Sequence, residues 1–311
     1  MVASPRVLMA TWSEGLVALR SGAAVREIVE GVVALSSDAD GSALAIVAGT
    51  SLRRRGPDGE WSTIGTSTCA LTACAALEGA IYVGTDDARV LRLEKNGTFA
   101  PLESFEHVAG RETWYAGTAI IDGRVVGPPL GVRSMCATCD RSTLLVNVHV
   151  GGIPRSSDRG ASWHPTIEVE ADVHEVAAHP TRPEMAAAAT AMGLAVSRDG
   201  GRTWTLDREG LHATHCSAVA FVGDDVLVSS ATDPFATEGA VYRRAISRSG
   251  LVRVGGLPEW LERGVDTGGI ASRGDVVAVA DRGGNVHLSC DRGATWERIA
   301  AGLPSPSGLL I

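Results

Sequence analysis

An octapeptide that occurs three times in the second half of the chain constrains the fold more than any other feature. It reads Ser-x-Asp-x-Gly-x-Ser/Thr-Trp and spans residues 156–163, 197–204 and 289–296. Its aspartates, Asp158, Asp199 and Asp291, are separated by 41 and then 92 residues, and the second interval is two steps of 46. A period of about 40 to 50 residues with one copy missing indicates a repeat architecture.

The octapeptide has the chemistry of a tight β-hairpin. A strand ends at the serine, the aspartate carboxylate accepts hydrogen bonds from turn amides, and the glycine adopts a left-handed conformation. The tryptophan begins the next strand and fills the gap between repeat units. We therefore expect structural roles for the three aspartates and for Trp163, Trp204 and Trp296.

Weaker copies of this unit fill the rest of the chain. Each has alternating apolar strands, with turns predicted at residues 21–22, 58–61, 96–97 and 249–250. With the three octapeptides they make seven units, which is about 44 residues per unit. Seven units of about four short strands predict an all-β fold, a single seven-bladed β-propeller.

The blade boundaries follow from the repeat. We predict blades at residues 6–29 with 307–311, then 32–64, 69–103, 130–167, 172–206, 214–254 and 267–300, and a long loop at 104–129. The first unit lacks an innermost strand, and residues 307–311 have no blade of their own. We therefore expect the C-terminal strand to join the N-terminal blade and close the ring, which hides open sheet edges. Long loops in compact folds are often functional, and this loop is expected to lie over one face.

The octapeptide resembles the Asp-box, or BNR repeat, of sialidases, sortilin-type receptors, xyloglucanases and photosystem assembly factors. Residues 147–153 and 172–176 are also similar to bacterial single-domain proteins described as WD40/YVTN/BNR-like repeat or glycosyl hydrolase-like proteins. The resemblance implies a sialidase-like propeller fold with the octapeptides on outer turns, away from any active site. It implies no established activity for this chain.

Composition excludes several classes of protein. The 311 residues are 45% hydrophobic, which is too apolar for a disordered chain, and no apolar run approaches the roughly 20 residues of a membrane span. The formal net charge of −8 argues against a nucleic-acid partner. With no signal peptide, the six cysteines are expected to be reduced, buried thiols in a cytoplasmic protein. Cys136 and Cys139 would point to opposite faces of a strand and form no chelating pair.

Candidate functional residues emerge when positions are counted from the repeat. The loops between second and third strands share a face with the starts of the innermost strands, and this places several titratable side chains together near the axis. The candidate catalytic residues are His149, His174, His215, Asp172 and Asp266. One divalent metal ion is a possible cofactor, with ligands His149, His174 and His215, or His212 in place of His215. Candidate substrate-binding residues are Arg133, Arg282, Arg111, Trp114 and Tyr115.

Three functions are compatible with these residues. The first is a pocket of His, Asp and Arg that binds or transforms a small molecule, as a metal-dependent or acid–base lyase or hydrolase. The second is a glycan-binding or glycoside hydrolase-like protein that uses Asp172 and Asp266. Sialidase activity is not expected, because the Arg-Ile-Pro signature is absent. The third is a non-catalytic scaffold with a protein partner. No membrane or nucleic-acid partner is expected.

Overall fold

Seven four-stranded antiparallel sheets form a seven-bladed β-propeller, as the sequence predicts. The computed structural model describes residues 5–311 except 21–22, 39, 118, 122–123, 128 and 236–237. The predicted turn at residues 21–22 therefore lies outside the described residues. Among those that are described, no helix has the length and apolar character to cross a membrane.

Each of blades 2 to 7 is a contiguous stretch of chain with its first strand innermost. The innermost strands are Val32–Ser37, Leu71–Leu77, Gly131–Ala137, Val173–Ala178, Val219–Val222 and Ile270–Arg273. The second strands are Ala43–Val47, Ala80–Thr85, Leu144–His149, Ala186–Thr190, Asp225–Ser230 and Val276–Ala280. The third strands are Ser51–Arg55, Val90–Leu93, Pro154–Ser156, Gly193–Ser197, Ala240–Ala245 and Val286–Ser289. The outermost strands are Trp61–Thr66, Phe99–Pro101, His164–Pro165, Thr205–Asp207, Val252–Arg253 and Glu297–Ala300.

Blade 1 closes the ring, and this prediction is confirmed. Its outer three strands are Val7–Thr11, Gly15–Arg20 and Ala23–Ile28, and its innermost strand is Pro306–Leu310. The closing pair is antiparallel, with Met9 opposite Leu309.

The second strands are buried along almost their whole length because blades pack against both of their faces. Ala43–Val47, Leu144–His149 and Ala186–Thr190 have no exposed residue. A strand covered on both sides favours a continuous run of apolar residues over alternation. Strands that are buried on both faces therefore account for the high apolar content of the chain.

The three octapeptide turns make the same hydrogen bonds. In the first, the Ser156 hydroxyl donates to Asp158 Oδ1 at 2.8 Å and accepts from the amide of Gly160 at 2.8 Å. Asp158 Oδ1 accepts from the amide of Ser162 at 2.9 Å. Equivalent bonds hold Asp199 and Asp291. All three turns connect third to fourth strands, at the end of the blades opposite the candidate site.

Each octapeptide tryptophan packs between its own blade and the preceding one. Trp163 lies between blades 4 and 3 and contacts Phe105 edge-on, with ring centroids 4.9 Å apart. Trp204 packs between blades 5 and 4, and Trp296 between blades 7 and 6.

The long connection between blades 3 and 4 is partly folded into the core. It carries two short 3₁₀ helices, Glu103–His107 and Arg111–Thr113, and a two-stranded ribbon of Ala119–Ile121 and Arg124–Val126. Buried Phe105 and Trp114 anchor it between blades 3 and 4. The remaining 3₁₀ helix of the described chain, Val169–Ala171, leads into blade 5.

The cysteines differ in exposure. Cys74 and Cys216 are buried, as expected, and all six thiols are unpaired. The expectation that all six are buried is wrong for Cys139 and Cys290, which are exposed. Both lie in turns at the ends of strands, where no neighbouring blade covers them.

Candidate functional site

A β-bulge occurs at the same position near the start of four consecutive innermost strands. The strand register shifts across Val33, Thr72, Arg133 and His174 in blades 2 to 5. A bulge bends the strand locally and redirects its side chain. Arg133 and His174 are therefore structurally equivalent, as counting from the repeat predicts.

Three histidines and one aspartate meet where blades 4, 5 and 6 adjoin, and we call this group the His–Asp cluster: His149, Asp172, His174 and His215. Asp172 lies between two of the imidazoles, with Oδ1 3.3 Å from His149 Nε2 and Oδ2 3.6 Å from His174 Nε2. The ring of His174 is 5.4 Å from that of His149 and 4.6 Å from that of His215. The predicted grouping of these four residues is thus present in the structure.

Local backbone conformation places the carboxylate. Asp172 follows the helix Val169–Ala171 and adopts a left-handed conformation, with φ of 48°. Aspartate is among the few residues other than glycine that enter this region readily. The turn brings Asp172 beside His149 at the end of the second strand of blade 4 and His174 in the first strand of blade 5.

The electrostatic environment keeps two of the imidazoles neutral. Burial, aided by the charge of Arg133, lowers the pKa of His149 to about 3. Burial, aided by His174, lowers the pKa of His215 to about 4. Burial acts to raise the pKa of Asp172, but the hydrogen bond and charge of His174 outweigh it and the pKa lies below its usual value. The cluster therefore presents a carboxylate among imidazole nitrogens.

The tautomer of His174 follows from its partner. Its Nδ1 is 2.6 Å from the carbonyl oxygen of Cys216. A carbonyl only accepts hydrogen bonds, so Nδ1 carries a proton, and Nε2 is the ring nitrogen that faces the carboxylate of Asp172. Two further buried atoms of the cluster, Asp172 Oδ1 and His149 Nδ1, have no hydrogen-bond partner. A proton or a metal ion between Nε2 and the carboxylate stabilises this arrangement.

A central cavity of about 500 Å³ adjoins the cluster, and His149 lines it. Across its polar side, Arg133 of blade 4 binds residues that precede blade 7. Its Nη2 is 2.9 Å from Asp266 Oδ1 and its Nε is 2.8 Å from Thr267 Oγ1. Burial acts to raise the pKa of Asp266, but the charge of Arg133 outweighs it and lowers the pKa.

The sequence analysis missed Glu175, which also lines this cavity. Its Oε2 accepts a hydrogen bond from the amide of Val219 at 2.9 Å, and burial raises the pKa of its carboxyl to about 8. The available signal was an acidic residue beside His174 in an innermost strand that is otherwise apolar.

Two of the candidate substrate-binding residues, both in the long loop, pack against neighbouring parts of the protein. Trp114 is buried, and the guanidinium of Arg111 lies 4.8 Å from its ring centre. Arg111 also binds the carbonyl of Ala88 and the carboxylate of Glu106. The structure therefore gives Arg111 and Trp114 packing contacts, and their role in substrate binding stays a prediction. Tyr115 is 53% exposed but does not line the cavity.

Two further candidates hold loops together. Arg282 donates to the carbonyl oxygens of Arg263 and Pro234 and does not line the cavity, and its role in substrate binding stays a prediction. His212 uses both ring nitrogens, one with the Tyr242 hydroxyl and one with the carbonyl of Glu238, each at 2.9 Å. His212 therefore does not replace His215 in the cluster.

The fold and site define a seven-bladed β-propeller with a polar cluster beside its central cavity. No family model and no curated protein sequence matches the chain. Among solved structures, the periplasmic gluconolactonase PpgL of Pseudomonas aeruginosa is similar, with a TM-score of 0.65 at 15% identity, over 98% of both chains. A putative 6-phosphogluconolactonase of Bacteroides fragilis has a TM-score of 0.63 at 15% identity, over 99% of this chain and 98% of that one.

Xyloglucanases, one of the groups that the octapeptide resembles, are also among the similar structures. The GH74 xyloglucanase of Xanthomonas campestris has a TM-score of 0.60 at 15% identity over 96% of this chain. This chain spans 47% of that enzyme, about half its length. Such identities show the propeller fold alone, and the Asp-box assignment of the octapeptides stays a prediction.

Proposed function

We propose that the protein is a metal-dependent enzyme of the hydrolase or lyase type that acts on a small molecule in the central cavity. His149, Asp172 and His174 would hold one divalent cation. The observation that carries the proposal is the convergence of one ligand atom from each of these three residues, with His174 Nδ1 donating to the Cys216 carbonyl so that Nε2 faces Asp172.

The donor set suits a divalent cation. The three ligand atoms lie within 4.8 Å of one another, and two bonds of about 2 Å span at most about 4 Å, so a small inward movement of the side chains would let one ion bind all three. Metal-bound histidines usually donate their second ring N–H to a carbonyl or carboxylate, as His174 does. A cation would also give a partner to the unsatisfied Oδ1 of Asp172.

The cavity supplies the place for a substrate. Its volume lies within the range of about 300 to 1,000 Å³ typical of small-molecule sites. His149 belongs to both the cluster and the cavity wall, so a cation held there would lie at the cavity's edge. Such an ion polarises a carbonyl or lowers the pKa of a bound water.

Elemental analysis tests the proposal directly. Protein without a histidine tag, purified without chelators, should contain close to one equivalent of a transition metal. His174→Ala and Asp172→Asn should lose it, whereas His164→Ala, which removes an exposed histidine outside the cluster, should keep it. Metal-free wild-type protein whose melting temperature does not respond to added Zn²⁺ or Mn²⁺ would overturn the proposal.

Glycoside hydrolysis by Asp172 and Asp266 is a less favoured alternative. A general acid of this kind needs a raised pKa, and the pKa values of both aspartates are lowered. Asp266 is also bound to Arg133.

The octapeptides are best assigned as Asp-boxes with a structural role. The common hydrogen bonds around Asp158, Asp199 and Asp291 support this assignment, as does their position at the end of the blades opposite the cluster.

A further inference from the structure

The central cavity has two chemically different sides. One side is built by the innermost strands of blades 1, 2 and 3, and its lining includes the apolar residues Leu309, Val33, Leu35 and Ala73. Trp12, which is 58% exposed, stands at its rim. Water in contact with such a wall is displaced favourably by an alkyl or aryl group.

The opposite side holds most of the polar lining residues beside the apolar Val132, Met135, Val176 and Ile270, and it carries little unbalanced charge. Of the described residues that line the cavity, Arg133 is the one guanidinium, and it is paired with Asp266. Asp86, exposed at the rim, adds a negative charge. In the metal-free protein, a ligand with a free carboxylate would therefore meet no unpaired cation on this wall. A neutral head group meets both donors and acceptors in the Arg133–Asp266 pair.

We infer that the cavity binds an amphipathic small molecule, with an alkyl or aryl part against blades 1 to 3 and a hydrogen-bonding head toward Arg133 and His149. The inference rests on the proposed function for the head, which lies on the side where the cation would be held. A polyol such as an open-chain sugar acid is a poor occupant, because its hydroxyls would face Leu309 and Leu35 without partners.

The contribution of the apolar side of the cavity to binding affinity can be measured with a homologous series of primary amides. Butanamide, hexanamide and octanamide are titrated into the protein by calorimetry, beside carboxylates of equal length and gluconamide. Burial of each methylene should tighten binding about three- to fourfold. In chelator-treated protein the carboxylates should bind more weakly than amides of the same length, and gluconamide should not compete.

Gly308 offers a substitution that fills the apolar side. It lies in the innermost strand of blade 1, and a Cβ placed there would contact the Leu35 backbone nitrogen at 3.6 Å and Leu35 Cβ at 3.8 Å, which are ordinary contacts. Gly308→Leu should weaken octanamide binding at least tenfold and butanamide binding much less. Gly255→Leu is the matched control, since a Cβ there has no neighbour within 4 Å and the site is outside the cavity.

The two proposals can fail separately. All titrations are made on metal-loaded and on chelator-treated protein. A chain-length dependence that persists in protein shown to bind no metal supports the amphipathic ligand and overturns the proposed function. Affinity that is independent of chain length in metal-loaded protein, or that Gly308→Leu leaves unchanged, overturns the amphipathic ligand while the metal site stands.

Discussion

Gly117→Ala should damage the His–Asp cluster without altering any of its four residues. Gly117 covers the imidazole of His149, and a Cβ at this position would lie 2.0 Å from Cε1 and 2.5 Å from Nδ1 of that ring. Ordinary van der Waals contact begins near 3.4 Å, so the two groups must separate by a further 1.4 Å. Only glycine fits so close an approach.

The size of the effect follows from how firmly His149 is held. It ends a fully buried strand, so a retreat of the ring would take Nε2 away from Asp172. Disturbing a group that orients a metal ligand typically costs 10- to 100-fold in affinity, which is about 1.4 to 2.7 kcal/mol. Overpacking a buried side chain costs a further 1 to 3 kcal/mol of folding free energy, as a rough range.

The assay is competition for Zn²⁺ or Mn²⁺ against a chromophoric chelator, with urea unfolding measured in parallel. Gly255→Ala is the control, because its new methyl group contacts nothing. We expect weaker metal binding in Gly117→Ala alone. Wild-type metal affinity in a folded Gly117→Ala protein would refute the assignment of His149 as a ligand.

Three other predictions concern the scaffold. Leu309→Ala should lower the free energy of unfolding by about 2 to 4 kcal/mol, because Leu309 is buried where the ring closes. Leu206→Ala, at an exposed position, should change it little. Equal urea midpoints for the two variants would contradict this prediction. Hydrogen bonds from Thr295 lower the pKa of Asp291 to about 2, so this carboxylate stabilises the fold above about pH 4 and its contribution is lost as the pH falls toward 2. The melting temperature of the wild-type protein should drop as the pH falls from about 4 to about 2, and that of Asp291→Asn should drop less steeply. Identical pH profiles for the two proteins would contradict a contribution of this carboxylate to stability. Cys139 and Cys290 should react with a thiol reagent in the folded protein, and rapid labelling of buried Cys74 and Cys216 would argue against the packing described.

The repeat made the blades and the ring predictable from sequence. Each octapeptide fixes a strand end, a turn and a strand start, so counting from Asp158, Asp199 and Asp291 carries the register into neighbouring strands. The same counting brought His149 and His174 to one end of adjacent blades. Counting from the repeat placed these residues correctly because they lie in strands or directly beside them.

Residues outside the repeat could not be placed in this way. Arg111 and Trp114 belong to a connection that no other blade has, and their burial depends on contacts with Phe105 that no spacing reveals. Glu175 was missed because strand alternation does not signal a bulge. The register shift at His174 changes which neighbour reaches the cavity.

The closing strand also has a consequence for synthesis on the ribosome. Blades 2 to 7 can each assemble as soon as their own residues have emerged, but blade 1 cannot, because Val7–Thr11 pairs with Pro306–Leu310. Until Pro306–Leu310 has been synthesised, Val7–Thr11 presents an apolar strand edge with unpaired amides and carbonyls. Edges of this kind pair with other chains and lead to aggregation. Slow translation or a premature stop should therefore prolong exposure of this edge, and the most aggregation-prone segment of the nascent protein should be its first strand.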